Sequence, residues 1–237
     1  MLYITPYICA FSNDMSAHPF SKTKFVLLCC QGRSGSTLLL RLLNSIEGYH
    51  LMGENRGAVQ QLLHFYMNIE HMHRVRETQK KEHFQLAWEN KFDVKQVTYD
   101  LYTIFDHLFS VQGKQVVGFK EISFGIDLFE KFENELTSFS DLFQNLKIIF
   151  LTRDIEQLLK SGWWTKDEEQ SRNTLLNQEE NFRAYYQKHS SDKPGALFSI
   201  THKDICEKTP RLLEMYSFLG EPFQEEKYEQ TLSKITR

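Results

Sequence analysis

Phe25-Val-Leu-Leu-Cys-Cys-Gln-Gly-Arg-Ser-Gly-Ser-Thr37, continued by Leu38, Leu39, Leu42, Leu43 and Ile46, decides the architecture. Its first six residues are apolar without alternation. A strand covered by helices on both faces needs that pattern, because neither row of side chains meets water. The run breaks at Gln31, and after the glycine-rich loop apolar residues recur at helical spacing. The order is strand, loop, helix. Glycines let a backbone approach a ligand closely, and the first N–H groups of a helix have no partner within it, so this loop is built to receive an anion. Ser34, Ser36 and Thr37 add hydroxyls, and Arg33 adds a planar, permanently charged donor set. A tight turn with a helix cap would use the same serines and glycines, but it gives Arg33 no task.

Working outward, apolar periodicity predicts helices over 58–76, 95–109, 155–164, 168–188 and 211–219, the last stopped by Gly220 with Pro222 beyond it. Short strands are expected at 49–52, at 115–119 ending on Lys120, at 146–151 ending on Thr152-Arg153, and at 196–200 after the turn at 193–195. Strands alternating with helices predict a three-layer α/β/α fold around a mostly parallel sheet, with ligands at the carboxyl ends of the strands. With no repeat, low-complexity tract or long linker, 1–237 reads as a single domain preceded by an arm over about 1–24.

Hydrophobic residues at 41% and charged residues at 25% suit a globular soluble chain, and a net charge of −3 carries no electrostatic footprint for nucleic acid. No apolar run approaches the roughly 20 residues that cross a bilayer, so no membrane association is expected. The apolar stretch 1–11 lacks a basic leader and reads as a strand or packed arm rather than a signal peptide. Cys9, Cys29, Cys30 and Cys206 show neither paired nor zinc-like spacing, which predicts reduced thiols in a cytoplasmic protein. His71 and His73 lie in an irregular helical stretch without carboxylate partners and read as surface or packing residues, not metal ligands.

A second anion-binding element lies in Arg153-Asp-Ile-Glu-Gln-Leu-Leu-Lys-Ser161. Arg153 leaves a strand end, and Ser161 is expected about two turns along the following helix. A phosphate between them would take a charge-assisted contact and a hydroxyl donor. A nucleoside triphosphatase loop, GxxxxGK[ST], needs a lysine where this chain has Ser36, and no strand ends in an acidic pair that would hold Mg²⁺. A kinase-like phosphotransferase is therefore the second reading, and an inactive nucleotide-binding homologue the third.

The two elements in this order resemble the PAPS-dependent sulfotransferase superfamily. Phe119-Lys-Glu-Ile122 is similar to that family's lysine-bearing strand end, and the segments 200–205 and 209–223 resemble those that close its fold, so the resemblance covers about residues 25–228 in scattered blocks. It implies transfer of a sulfuryl group from 3′-phosphoadenosine 5′-phosphosulfate (PAPS) to a hydroxyl or nitrogen of a small-molecule acceptor, without a required metal. It implies that Gly32, Arg33, Ser34, Gly35, Ser36 and Thr37 hold the 5′-phosphosulfate and that Arg153 and Ser161 hold the 3′-phosphate, with Trp164 and His202 also against the cofactor.

Gly53-Glu54 stands 21 residues beyond Arg33, as the Gly-Glu of the protein-tyrosine branch does, which implies Glu54 as general base with His50 as the second candidate. Lys120 and Arg33 are implied as the charges that stabilise the bridging oxygen, although many family members carry lysine where this chain has Arg33. Asp167-Glu-Glu169 reads as a solvated helix start; lining the acceptor mouth, it would favour a cationic acceptor. A monomer or homodimer serving secondary metabolism completes the expectation.

Overall fold

The structure is a computed structural model that describes residues 18–78, 93–109 and 113–234. The arm expected at the N-terminus lies mostly outside the described residues, apart from a 3-10 turn at Pro19–Lys22. The sheet is built from β1 (Lys24–Cys30), β2 (Tyr49–Met52), β3 (Val116–Glu121), β4 (Leu146–Thr152) and β5 (Leu197–Thr201), in the order β2-β3-β1-β4-β5, and every pairing is parallel. The described helices are α1 (Ser36–Asn44), α2 (Ala58–Thr78), α3 (Val94–Phe109), α4 (Phe129–Leu142), α5 (Ile155–Leu159), α6 (Glu168–His189), α7 (His202–Cys206), α8 (Pro210–Leu219) and α9 (Glu225–Ser233).

The unbroken apolar run of β1 has the cause expected of it. Phe25, Leu27 and Cys29 enter one core with residues of α2, α3, α4 and α6, while Val26, Leu28 and Cys30 enter a second with residues of α1, α7, α8 and α9. Three layers result, with β1 at their centre. Phe25 anchors the first core, its ring 4.4 Å from Phe143 and 5.1 Å from Phe109. Cys29 and Cys30 pack as buried free thiols, and burial pushes the Cys30 thiol up to about 12, so it stays protonated. No helix among the described residues is long and apolar enough to cross a membrane.

One expected helix is broken. In place of a helix over 155–164, α5 ends at Leu159, Ser161 is extended, and a 3-10 turn runs from Gly162 to Thr165. The cause is Gly162, whose φ of 64° belongs to the left-handed region that ends helices. Ser161 therefore does not ride two turns up a helix; it lies in a kink beside the glycine-rich loop. Three helices go beyond the sequence reading: α4, α7 and α9. The stretches 56–112 and 162–190 are largely the helices α2, α3 and α6 where described.

Candidate functional site

A parallel sheet delivers all its strand ends to one edge. At that edge β1 runs into Gln31–Gly35, β2 into Gly53–Gly57, β3 into the loop before α4, β4 into Arg153 and β5 into α7. The residues singled out by sequence arrive there from five different strands.

The glycine-rich loop is tightly wound. Arg33 has a φ of 68°, rare for a residue with a side chain, and Gly35 has a φ of 84° as the residue before α1. A Cβ on Gly35 would lie 2.3 Å from Cδ2 of His202, so this position has room only for glycine while the imidazole lies against it. A Cβ on Gly32 would likewise meet the Trp163 ring at 2.5 Å. Ser34 is fully buried, and its hydroxyl is without a hydrogen-bond partner among the described residues. Such a group destabilises a fold unless something supplies the missing bond. Thr37 is exposed in the first turn of α1.

The loop is bound to the segment after β4 by several independent contacts. Gln31, buried at the end of β1, accepts from the Arg153 N–H at 3.1 Å and donates to the Leu175 carbonyl at 3.1 Å. The Trp164 indole N–H donates to the Gly32 carbonyl at 2.9 Å. Arg153 donates through Nη1 to the Arg33 carbonyl at 3.2 Å and through Nε to Gln157 at 3.1 Å. Arg33 donates through Nε to Ser161 Oγ at 3.2 Å. Neither guanidinium has a carboxylate partner among the described residues.

On the other side of β1, Lys120 at the end of β3 is buried. Its ammonium donates to Glu54 and lies 3.4 Å from Ser36 Oγ, the first residue of α1. This joins the loop after β2, the end of β3 and the start of α1. The Glu54 side chain stays 41% exposed although it pairs with the buried Lys120. His202, from α7, sits half-buried with Nε2 3.4 Å from Cys206 Sγ. Burial, and then the nearby Arg153 charge, hold its pKa below the ordinary 6.5.

Not every candidate joins this cluster. His50 pairs in register with Val117, three residues before Lys120, so it sits about 10 Å down the sheet from the strand end. Trp164 is buried and spends its N–H on the loop backbone; Trp163 is the exposed indole. Asp167 caps α6 by accepting from the Gln170 N–H, and Glu168 pairs with Arg172 at 3.0 Å, so both support helix structure. His64, on the same helix as His71 and His73, has a carboxylate partner: its Nε2 lies 2.8 Å from the buried Glu135.

Two positioning residues are absent from the sequence reading. Gln31 is one, a polar residue next to the loop that proves fully buried. Gln178 is the other, donating to the Ile122 and Phe124 carbonyls at 2.9 and 2.7 Å and so fixing the loop that follows Lys120. Neither has a motif; Gln31 stands out only as an amide directly after an apolar strand, and Gln178 lies in the polar run Asn177-Gln-Glu-Glu-Asn181, which gives no signal.

Known structures share this fold. The chain superposes on the sulfotransferase domain from the curacin biosynthetic pathway with a TM-score of 0.50 at 18% identity, over 87% of this chain and 76% of that one. It superposes on the sulfotransferase domain of the Synechococcus PCC 7002 olefin synthase with a TM-score of 0.51 at 18% identity, over 87% and 77%. The chain has the sulfotransferase fold. No protein-family model matches the sequence, and no curated protein matches it. At this identity the sulfotransferase fold shows as shape, with the five parallel strands and flanking helices in place, and the chemistry rests on the side chains described above.

Proposed function

We propose that the protein is a sulfotransferase that moves a sulfuryl group from PAPS to a hydroxyl or nitrogen of a small molecule. The observation that carries this reading is the pair of arginines next to a glycine-rich loop, Arg33 on Ser161 and Arg153 on the Arg33 carbonyl, neither with a carboxylate partner among the described residues. Two unneutralised cations close together repel each other, and a dianion between them removes that repulsion. A nucleotide with phosphate at both its 3′ and 5′ positions supplies one anion for the Arg153–Ser161 kink and one for the loop. The unpartnered Ser34 hydroxyl gives the loop a further donor or acceptor.

When bound, PAPS supplies the sulfuryl group, and adenosine 3′,5′-bisphosphate (PAP) is the leaving group. The residues of this chain position, polarise and take up a proton. Gly32 and Gly35 keep the loop free of side chains where an anion approaches, and the N–H groups at the start of α1 point toward it. Lys120, held between Ser36 and Glu54, places a positive charge where negative charge grows on the bridging oxygen. Glu54 takes the proton from the acceptor O–H or N–H as the new bond to sulfur forms and the bond to the phosphate oxygen breaks. Its ion pair with Lys120 fixes the direction of the carboxylate, and the side chain stays partly exposed to the acceptor. Lys120 and Glu54 thus act as one unit, with the cation serving the departing side and the carboxylate the arriving side. Trp163, the exposed indole against Gly32, offers a flat surface to the nucleotide, while Trp164 holds the loop from behind.

The buried free thiols of Cys29 and Cys30 suit a reducing, cytoplasmic setting. Incubation with PAPS and a panel of hydroxyl- and amine-bearing metabolites tests the reading by mass spectrometry. One product should gain the mass of SO₃, in equimolar yield with PAP. Glu54→Gln should lower that turnover by about 100-fold or more while PAP still binds. Full turnover in Glu54→Gln at saturating PAPS would remove Glu54 as the base.

A further inference from the structure

The sequence reading gives Arg33 to the sulfuryl side of the nucleotide. Its geometry points elsewhere. The left-handed backbone at Arg33 sends the side chain across the loop toward the segment after β4, where Nε donates to Ser161 Oγ at 3.2 Å. Glycine at 162 leaves room along that path: a Cβ there would lie 3.2 Å from both Cδ and Nε of Arg33 and crowd it. The Arg33 carbonyl in turn accepts from Arg153 Nη1 at 3.2 Å, so the Arg153 guanidinium is tied to the backbone of the residue whose own side chain holds Ser161. Lys120 meanwhile occupies the other side of the loop, on Ser36 and Glu54.

We infer that Arg33 is a 3′-phosphate ligand, forming with Arg153 and Ser161 a three-point clamp for that group, and that Lys120 is the cation serving the sulfuryl end. This rests on the PAPS reading proposed above. With its Nε on Ser161, Arg33 keeps both terminal nitrogens for an anion. Two guanidiniums around one dianion select for a phosphate ester at the 3′ position more strongly than one guanidinium and a hydroxyl. Arg33 then sets which nucleotide is accepted, and not how fast the acceptor is sulfated. The loop reaches both ends of the nucleotide, its backbone and hydroxyls to one phosphate and its arginine to the other.

Calorimetric titration with PAP and with 5′-AMP, which lacks the 3′-phosphate, separates the two roles. The variants are Arg33→Gln, and Arg33→Gly because glycine takes the left-handed backbone without strain; melting curves establish that each is folded. Both variants should lose about 10- to 100-fold in PAP affinity with little change in 5′-AMP affinity, collapsing the preference for PAP. An equal loss for both ligands places Arg33 on the 5′ side and overturns the inference, as does an unchanged preference. If the unsubstituted protein itself shows no preference for PAP over 5′-AMP, the PAPS reading fails instead.

Discussion

His202 shows how a single side chain reports on the site. Its ring lies against Gly35, burial and the Arg153 charge hold its pKa below 6.5, and it is therefore neutral at physiological pH. The unfolded chain binds this proton more readily than the folded one, so the stability that His202 contributes is present at neutral pH and declines as pH falls through about 6.5. NMR titration should find its pKa below the ordinary histidine value, and Arg153→Gln should move it upward. An unmoved value in that variant would mean that burial alone sets it. PAP binding should act in the same direction as Arg153→Gln, because a phosphate beside Arg153 offsets the cation that His202 faces.

Among the elements, the short α5 and the kink after it decide whether the proposed second phosphate site can form. A helix continuing through Ser161 would carry that hydroxyl away from Arg33; the left-handed turn at Gly162 brings it within 3.2 Å. Gly162→Ala should destabilise the fold by about 1–2 kcal/mol, since alanine resists this backbone and its Cβ crowds Arg33, and PAP affinity should fall with it. Paired melting and binding measurements check both effects, and a variant with unchanged PAP affinity would contradict the coupling.

The same element shows what sequence reading can and cannot reach. The Arg153…Ser161 spacing is legible, and so is Gly162 as a helix stop, yet apolar periodicity at Leu158, Leu159 and Trp164 carries the expected helix past it. The helix at 129–142 was equally open to reading, since Phe132, Leu136 and Phe139 recur at helical spacing. The direction of Arg33 and the Lys120–Glu54 pair are not legible. The first depends on a turn 128 residues away, and the second on β2 and β3 being neighbours in the sheet.

At the scale of the whole molecule, β1 organises both cores and presents the anion loop, so stability and function share one strand. Phe25 is fully buried among the rings of Phe109, Phe119, Phe139 and Phe143. Phe25→Ala should destabilise the protein by about 3–5 kcal/mol in denaturant unfolding, because the rigid surround of rings cannot close on the space left. A loss below about 1 kcal/mol would mean that this core is loosely packed. The fold was legible because β1 is apolar on both faces and its neighbours alternate with helices. The acceptor was not, because the exposed side chains of the helices after β2 and β4 carry no pattern tied to a ligand.

Everything proposed for this protein requires a nucleotide held by phosphate at two positions. Thermal unfolding in the presence of PAP, compared with ATP and Mg²⁺, measures that directly. PAP at about 100 times its dissociation constant should stabilise the protein by about 2.7 kcal/mol, raising the midpoint by about 5–10 °C, while ATP with Mg²⁺ leaves it near its starting value. Stabilisation by ATP with Mg²⁺ and none by PAP would contradict the account and return the glycine-rich loop to a triphosphate.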